Sequence, residues 1–251
     1  MDCRLYQKGV NRSGMLGLRC WTLGVECWLF ASSVLSQTTP TQPLSPTNQD
    51  WRDSLAVLNQ QIARQPWSTD LHLRKAAVNL ELKQWQYAVD EYSEVLRHDA
   101  KNPAALFYRA YAHTHLRHYE LARNDYSDLL TIAPRHFEAR LSLALILQQM
   151  GKRKEALDQL NQTIELHPDS AMGYAARANL ERDMKQDEVA LYDWAKAEQL
   201  DERNPLFVVS HVDLLLVLER REEARRVLDA AVVRGIPKGM LLEWYEKCKR
   251  K

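Results

Sequence analysis

The chain has 251 residues, with 34 Lys or Arg against 33 Asp or Glu, for a formal net charge of +1. That balance lacks the basic excess with which proteins grip nucleic acid, so no nucleic-acid partner is expected. Apolar residues make up 45%, an ordinary value for a folded chain, while Gly and Pro number only 8 and 9, which argues against a fold of many short strands.

Residues 1–36 read as a leader. Arg4, Lys8, Arg12 and Arg19 precede an apolar run from Cys20 to Leu35. Small residues then follow at Ala31-Ser32-Ser33 and Val34-Leu35-Ser36, with maturation expected near Gln37. This is the order of a secretory signal peptide, and it predicts an exported protein, secreted or held in the periplasm or envelope; without it the location is cytoplasmic. Glu26 interrupts the apolar run. An uncleaved anchor and a disordered or over-extended N-terminus, with the true start at Met15, are the alternatives. Neither Cys20 nor Cys27 has the neighbours of a lipid-attachment site. Three of the four cysteines (Cys3, Cys20 and Cys27) fall in the leader, so maturation leaves Cys248 and no internal disulfide. Residues 37–49, rich in Thr, Gln and Pro, read as an extended linker.

From residue 50 onward the chain repeats itself every 34 residues. Ala88, Ala122, Ala156, Ala190 and Ala224 form one series, and Ala76, Ala110, Ala144, Ala178 and Val212 another. Tyr92, Tyr126, Leu160, Trp194 and Leu228 recur at the same period, as do Leu82, Leu116, Met150, Met184 and Leu218. Asn102-Pro103 and Asn204-Pro205 read as helix starts, Asn capping and Pro occupying the first turn. Pro66, Pro134 and Pro168 stop the preceding helix. Within each unit apolar residues keep helical spacing on either side of a break, near residue 117 in one unit and at Gly151 in the next. Each unit is therefore a helix, a tight turn and a second helix. Small alanines midway along both helices let the backbones approach, and the bulky residue one turn past the second Ala fills the gap.

This pattern resembles the tetratricopeptide repeat, with Ala110, Ala122, Tyr126 and Pro134 in the family's small, small, aromatic and proline positions. The resemblance implies an all-α, right-handed superhelical solenoid of stacked helix-turn-helix units, at 69–102, 103–136, 137–170, 171–204 and 205–238. A partial unit at 50–68, comprising a second helix alone, precedes them, and residues 239–251 form a capping helix with a basic tail. The proline position departs from the pattern at Ala100 and Glu202, and the fifth unit carries Val212 in a small position and Pro237 one residue late.

Position 7 of the units reads Lys75, Arg109, Leu143, Arg177 and His211, and the position sixteen residues on reads Glu91, Asp125, Gln159, Asp193 and Val227. Each Lys or Arg meets an acid. This co-variation predicts three structural ion pairs, Lys75–Glu91, Arg109–Asp125 and Arg177–Asp193, because a buried cation needs such a partner.

No phosphate loop, nucleophile elbow or metal-ligand pair occurs, so no enzyme activity, cofactor or catalytic residue is expected. His113, His115 and His118 are read as packing and solvated residues and not as a metal site, with His115 and His118 sharing a helix face. Asp and Glu are read as surface residues, with no isolated pair in an apolar setting. The basic tail is read as a frayed terminus, and no transmembrane helix is expected in the repeats.

The resemblance implies a concave face lined by the first helices. Phe107, Tyr108, Tyr111, Leu141 and Leu145 form its apolar, aromatic part, and Asn179 and Asp213 its polar end. The expected function is a non-enzymatic scaffold that binds a protein or peptide in this groove. Leu73 and Ala77 stand where some members hold a terminal carboxylate, so that clamp is absent. The alternative is a structural subunit that self-associates through the Met240–Trp244 region of the C-terminal cap.

Overall fold

The structure, a computed structural model, describes residues 47–249. The leader, the signal-peptide expectation attached to it, nearly all of the linker, and Arg250 and Lys251 lie outside these residues. Among the described residues there are twelve helices and no strand. A leading helix α1 (Asn48–Arg64) is followed by five helical pairs. These are α2 (Thr69–Glu81) with α3 (Trp85–His98), α4 (Pro103–His115) with α5 (Tyr119–Ile132), and α6 (Phe137–Gln149) with α7 (Arg153–Leu166). The series continues with α8 (Ala171–Asp183) and α9 (Asp187–Leu200), then α10 (Pro205–Val217) and α11 (Arg221–Val233), and ends at α12 (Lys238–Lys249). Each helix packs on the next, and α6 also touches α8, so the chain is an all-α solenoid.

Two kinds of helix alternate, and their starts differ chemically. The first helix of every pair has a side-chain cap: Ser68, Asn102, His136, Ser170 or Asn204 accepts a backbone N–H from the first turn. Such a cap stabilises a helix by about 1 kcal/mol. The second helices have no side-chain cap at all. They start from a tight turn whose backbone is left-handed at Lys83, Arg117, Gly151, Lys185 and Glu219, one residue per pair. Only Gly151 suits that conformation; the other four carry its steric cost.

The core follows from the alanine series. Ala76, Ala110, Ala144, Ala178 and Val212 on the first helices are buried against Ala88, Ala122, Ala156, Ala190 and Ala224 on the second. Tyr92, Tyr126, Leu160, Trp194 and Leu228 are buried one turn further on. At the C-terminal end α12 packs on α10 and α11, burying Leu241 and Tyr245, while Trp244 donates its indole N–H to Asp213 at 2.8 Å. Lys247 and Lys249 are helical and ion-paired within α12, to Glu243 and Glu246 at 2.7 Å each, so the described part of the basic tail is not frayed.

Candidate functional site

Side chains at equivalent repeat positions fall in lines along the solenoid, and three such lines meet on one face. They are the start of each second helix, the middle of the following first helix, and the last turn of that first helix. Near the N-terminal end these places hold Trp85, Tyr111 and His115. The Trp85 and His115 rings stack at 4.0 Å, 5° from parallel, and Tyr111 sits edge-on to both, at 6.1 Å and 4.6 Å. Burial and the nearby Lys83 charge lower the His115 pKa, and burial and Glu81 raise that of Tyr111. The trio is a neutral aromatic surface.

Sixty-eight residues on, the same three places hold Arg153, Asn179 and Asp183, which line a concavity of about 710 Å³ with Arg182, Lys185, Asp187 and Val217. A second concavity, bordered by Arg182, Asp213, Leu216, Val217, Arg221 and Lys247, adjoins it. One face therefore runs from aromatic to charged.

The residues expected in the groove divide on inspection. Tyr111 and Leu145 are half-buried and Asn179 is exposed. Leu141 does not line an accessible surface: it is 5% exposed and belongs to the core, covered by its neighbours. Phe107 is half-buried, stacked on His136 at 5.3 Å and edge-on to Tyr126 at 5.7 Å. Tyr108 stacks on Tyr92 of the preceding repeat at 6.0 Å. Both rings pack between helices as well as edging the groove. Asp213 is taken up by Trp244 and by Lys247, at 3.7 Å, so the cap closes that end. The sequence signal for Trp85 is an aromatic residue one period before Tyr119, both opening a second helix.

The charged residues behind the groove are engaged. Arg109 grips Asp125 through two nitrogens, at 2.8 and 2.6 Å, and Arg177 grips Asp193 at 2.6 and 2.8 Å. Lys75 meets Glu91 at 2.7 Å, and His72 shares that carboxylate at 2.6 Å. In the third repeat, where position 7 is Leu143, Arg140 donates instead to Gln159 at 2.9 Å and to the Pro134 carbonyl at 2.6 Å. His211 turns to Glu198 of the preceding repeat at 2.6 Å, and Arg234 joins the same carboxylate.

Two expectations fail here. Acidic residues are not confined to the surface: Asp125, Asp193 and Glu198 are buried with cations from a neighbouring helix, and Glu181 is buried beside Arg177 of its own helix, 3.8 Å away. Glu181 is the least satisfied. One of its carboxylate oxygens has no hydrogen-bond partner, and burial and Asp193 push its pKa up to about 7 against the pull of Arg177. His115 and His118 also do not share a helix face, since α4 ends at His115 and His118 immediately precedes α5; the ring near His118 is His113, at 5.7 Å.

Two family models described as tetratricopeptide repeat match the chain, over residues 80–137 and 113–180. Among curated proteins, the DnaJ homolog subfamily C member 7 homolog of Dictyostelium discoideum is 27% identical over 124 residues, 49% of this chain and 22% of its own length. Human peptidyl-prolyl cis-trans isomerase FKBP4 is 30% identical over 82 residues, 33% of this chain. The chain thus spans about a fifth of the length of the curated relatives it matches. Among solved structures, a tetratricopeptide repeat protein from Parabacteroides merdae superposes with a TM-score of 0.64 at 20% identity, covering 80% of each chain. YrrB, described as having an unusual peptide-binding site, superposes with a TM-score of 0.55 at 16% identity, covering 75% of this chain and 97% of its own.

Proposed function

Because this chain belongs to the tetratricopeptide repeat family, a family of protein-interaction folds, we propose that it is a non-enzymatic scaffold whose groove binds a peptide or protein segment. The observation that carries this reading is the Trp85–Tyr111–His115 surface, three rings from a second helix and the following first helix held together by their own contacts, with Trp85 and Tyr111 half-buried and His115 exposed. Rings already packed in place lose little freedom when a ligand lands on them, and aromatic anchors dominate binding energy where they are ordered. Leu145, one repeat beyond Tyr111 at the same position, extends the apolar floor. The description of YrrB as peptide-binding supports the reading by analogy of fold.

The leader supports an exported protein working in or beyond the cell envelope. Self-association through the cap has less support, because Leu241, Trp244 and Tyr245 are used within the chain, leaving Met240 and Leu242 exposed.

The test is affinity capture from the source cell with the parent chain and a Tyr111→Ala, Leu145→Ser variant. A protein retained by the parent and lost by the variant supports groove binding. Equal retention by both places the binding surface elsewhere.

A further inference from the structure

The groove changes character between equivalent positions two repeats apart: Trp85, Tyr111 and His115 give way to Arg153, Asn179 and Asp183. The charged end is cationic in effect. Arg153, Arg182 and Lys185 all border the concavity, and none makes a side-chain hydrogen bond or ion pair with another described residue. The two acids beside them are partly offset. Asp183 accepts a hydrogen bond from Gln148, and Asp187 lies in the first turn of α9, where the positive end of the helix faces it. Arg153 opens α7, where a cation opposes the helix dipole; a bound anion would relieve that local repulsion. Asn179 is exposed in the concavity and supplies an amide donor beside the three cations.

Resting on the groove reading above, we infer that the ligand is an extended peptide with an acidic segment beside an apolar or aromatic one. The apolar part lies on Trp85, Tyr111 and Leu145. The acidic side chains lie in the concavity, against Arg153, Arg182 and Lys185. Charge complementarity at one end fixes the direction in which the peptide lies, and the aromatic end supplies the buried contact area. The carboxylates are those of Asp and Glu side chains and not of a chain terminus.

The experiment pans a random dodecapeptide display library, with the peptides fused at their C-termini, against the full chain. Two variants run alongside: Arg153→Glu with Arg182→Glu, and Trp85→Ala with Tyr111→Ala. Circular dichroism and thermal midpoints establish that each variant folds. The expected result is enrichment of Asp and Glu next to aromatic or large apolar residues. Synthetic versions with amidated ends should bind the parent, weaken at least tenfold on the charge-reversed variant, and weaken further as salt rises. Selected peptides without acidic enrichment, or acidic peptides that bind the charge-reversed variant equally, overturn the inference while leaving groove binding standing if the aromatic variant still loses them. A requirement for a free C-terminus, or tighter binding of a random single-stranded oligonucleotide, overturns it as well. If the parent selects no peptide, the groove reading fails with it.

Discussion

Arg109 and Arg177, two repeats apart, make the same set of contacts. Each grips the aspartate sixteen residues ahead through two nitrogens and reaches the residue sixteen behind with the third: Ser93 at 3.2 Å for Arg109 and Asn161 at 2.8 Å for Arg177. The arginine therefore ties its own second helix to that of the preceding repeat. In the first and third repeats position 4 takes part as well: His72 and Arg140 each link position 23 of their own unit to the carbonyl of a preceding proline, Pro66 or Pro134, and in the first repeat Lys75 at position 7 joins the same Glu91. The second and fourth repeats thus share one polar arrangement, while the first, third and fifth each differ beneath the apolar period of one, the fifth turning His211 to Glu198 of the preceding repeat.

A buried pair of this kind predicts a strong asymmetry between single and double changes. Arg109→Leu alone strands Asp125 and should cost about 3 kcal/mol or more. Arg109→Leu with Asp125→Gln reproduces the Leu143 and Gln159 pairing of the third repeat and should cost clearly less than the single change. Urea unfolding of the parent, both singles and the double gives the comparison; additive losses would contradict it.

The apolar period is plain in the sequence because every pair must solve the same packing problem, so Ala110 and Tyr126 recur as Ala178 and Trp194. The third contact of Arg109 is not legible, since Ser93 belongs to the preceding repeat and a hydroxyl there has many other uses. The family resemblance puts position 5, and so Leu141, on the groove; whether such a side chain is covered depends on neighbouring bulk that no pattern states. Glu181 reads as a surface acid from its spacing. It lies four residues after Arg177, the spacing of an ordinary exposed helix pair, yet Asp193 has already taken that arginine.

Glu181 makes folding depend on pH. Its pKa is about 7 in the fold against 4.5 ordinarily, so the folded state holds its proton more tightly than the unfolded state does. The stability this contributes is fully present below about pH 4.5 and is lost as pH rises through about 7. Glu181→Gln removes the titration. The variant should gain on the parent by about 1–3 kcal/mol between pH 5 and pH 8, read from unfolding midpoints at each pH.

The left-handed turns predict opposite signs for two small substitutions. Arg117 has φ near +60° without being glycine, so Arg117→Gly should stabilise the protein by about 0.5–1 kcal/mol. Gly151 has φ near +75°, and a Cβ there would touch nothing within 4 Å, so Gly151→Ala should destabilise by about 1 kcal/mol through backbone conformation alone. Thermal midpoints moving the same way for both would refute this account of the turns.

The cap predicts a local effect at the C-terminal end. Leu241 is fully buried against α10 and α11, so Leu241→Ala should cost about 2–5 kcal/mol. Hydrogen exchange should rise first in α10 to α12 and leave α2 to α5 protected, because a solenoid couples mainly between neighbours. Uniform loss of protection would mean that the array unfolds as one unit.

Occupation of the groove is tested most directly by photo-crosslinking in the source cell, with a benzophenone amino acid placed at Asn179 or at Tyr192. Asn179 is exposed inside the concavity; Tyr192 is 68% exposed on the solvent side of the second helix α9 and outside that concavity. A discrete crosslinked partner is expected from position 179, lost when Tyr111→Ala and Leu145→Ser are added, and none from position 192. A partner captured at 192 and not at 179 would contradict it.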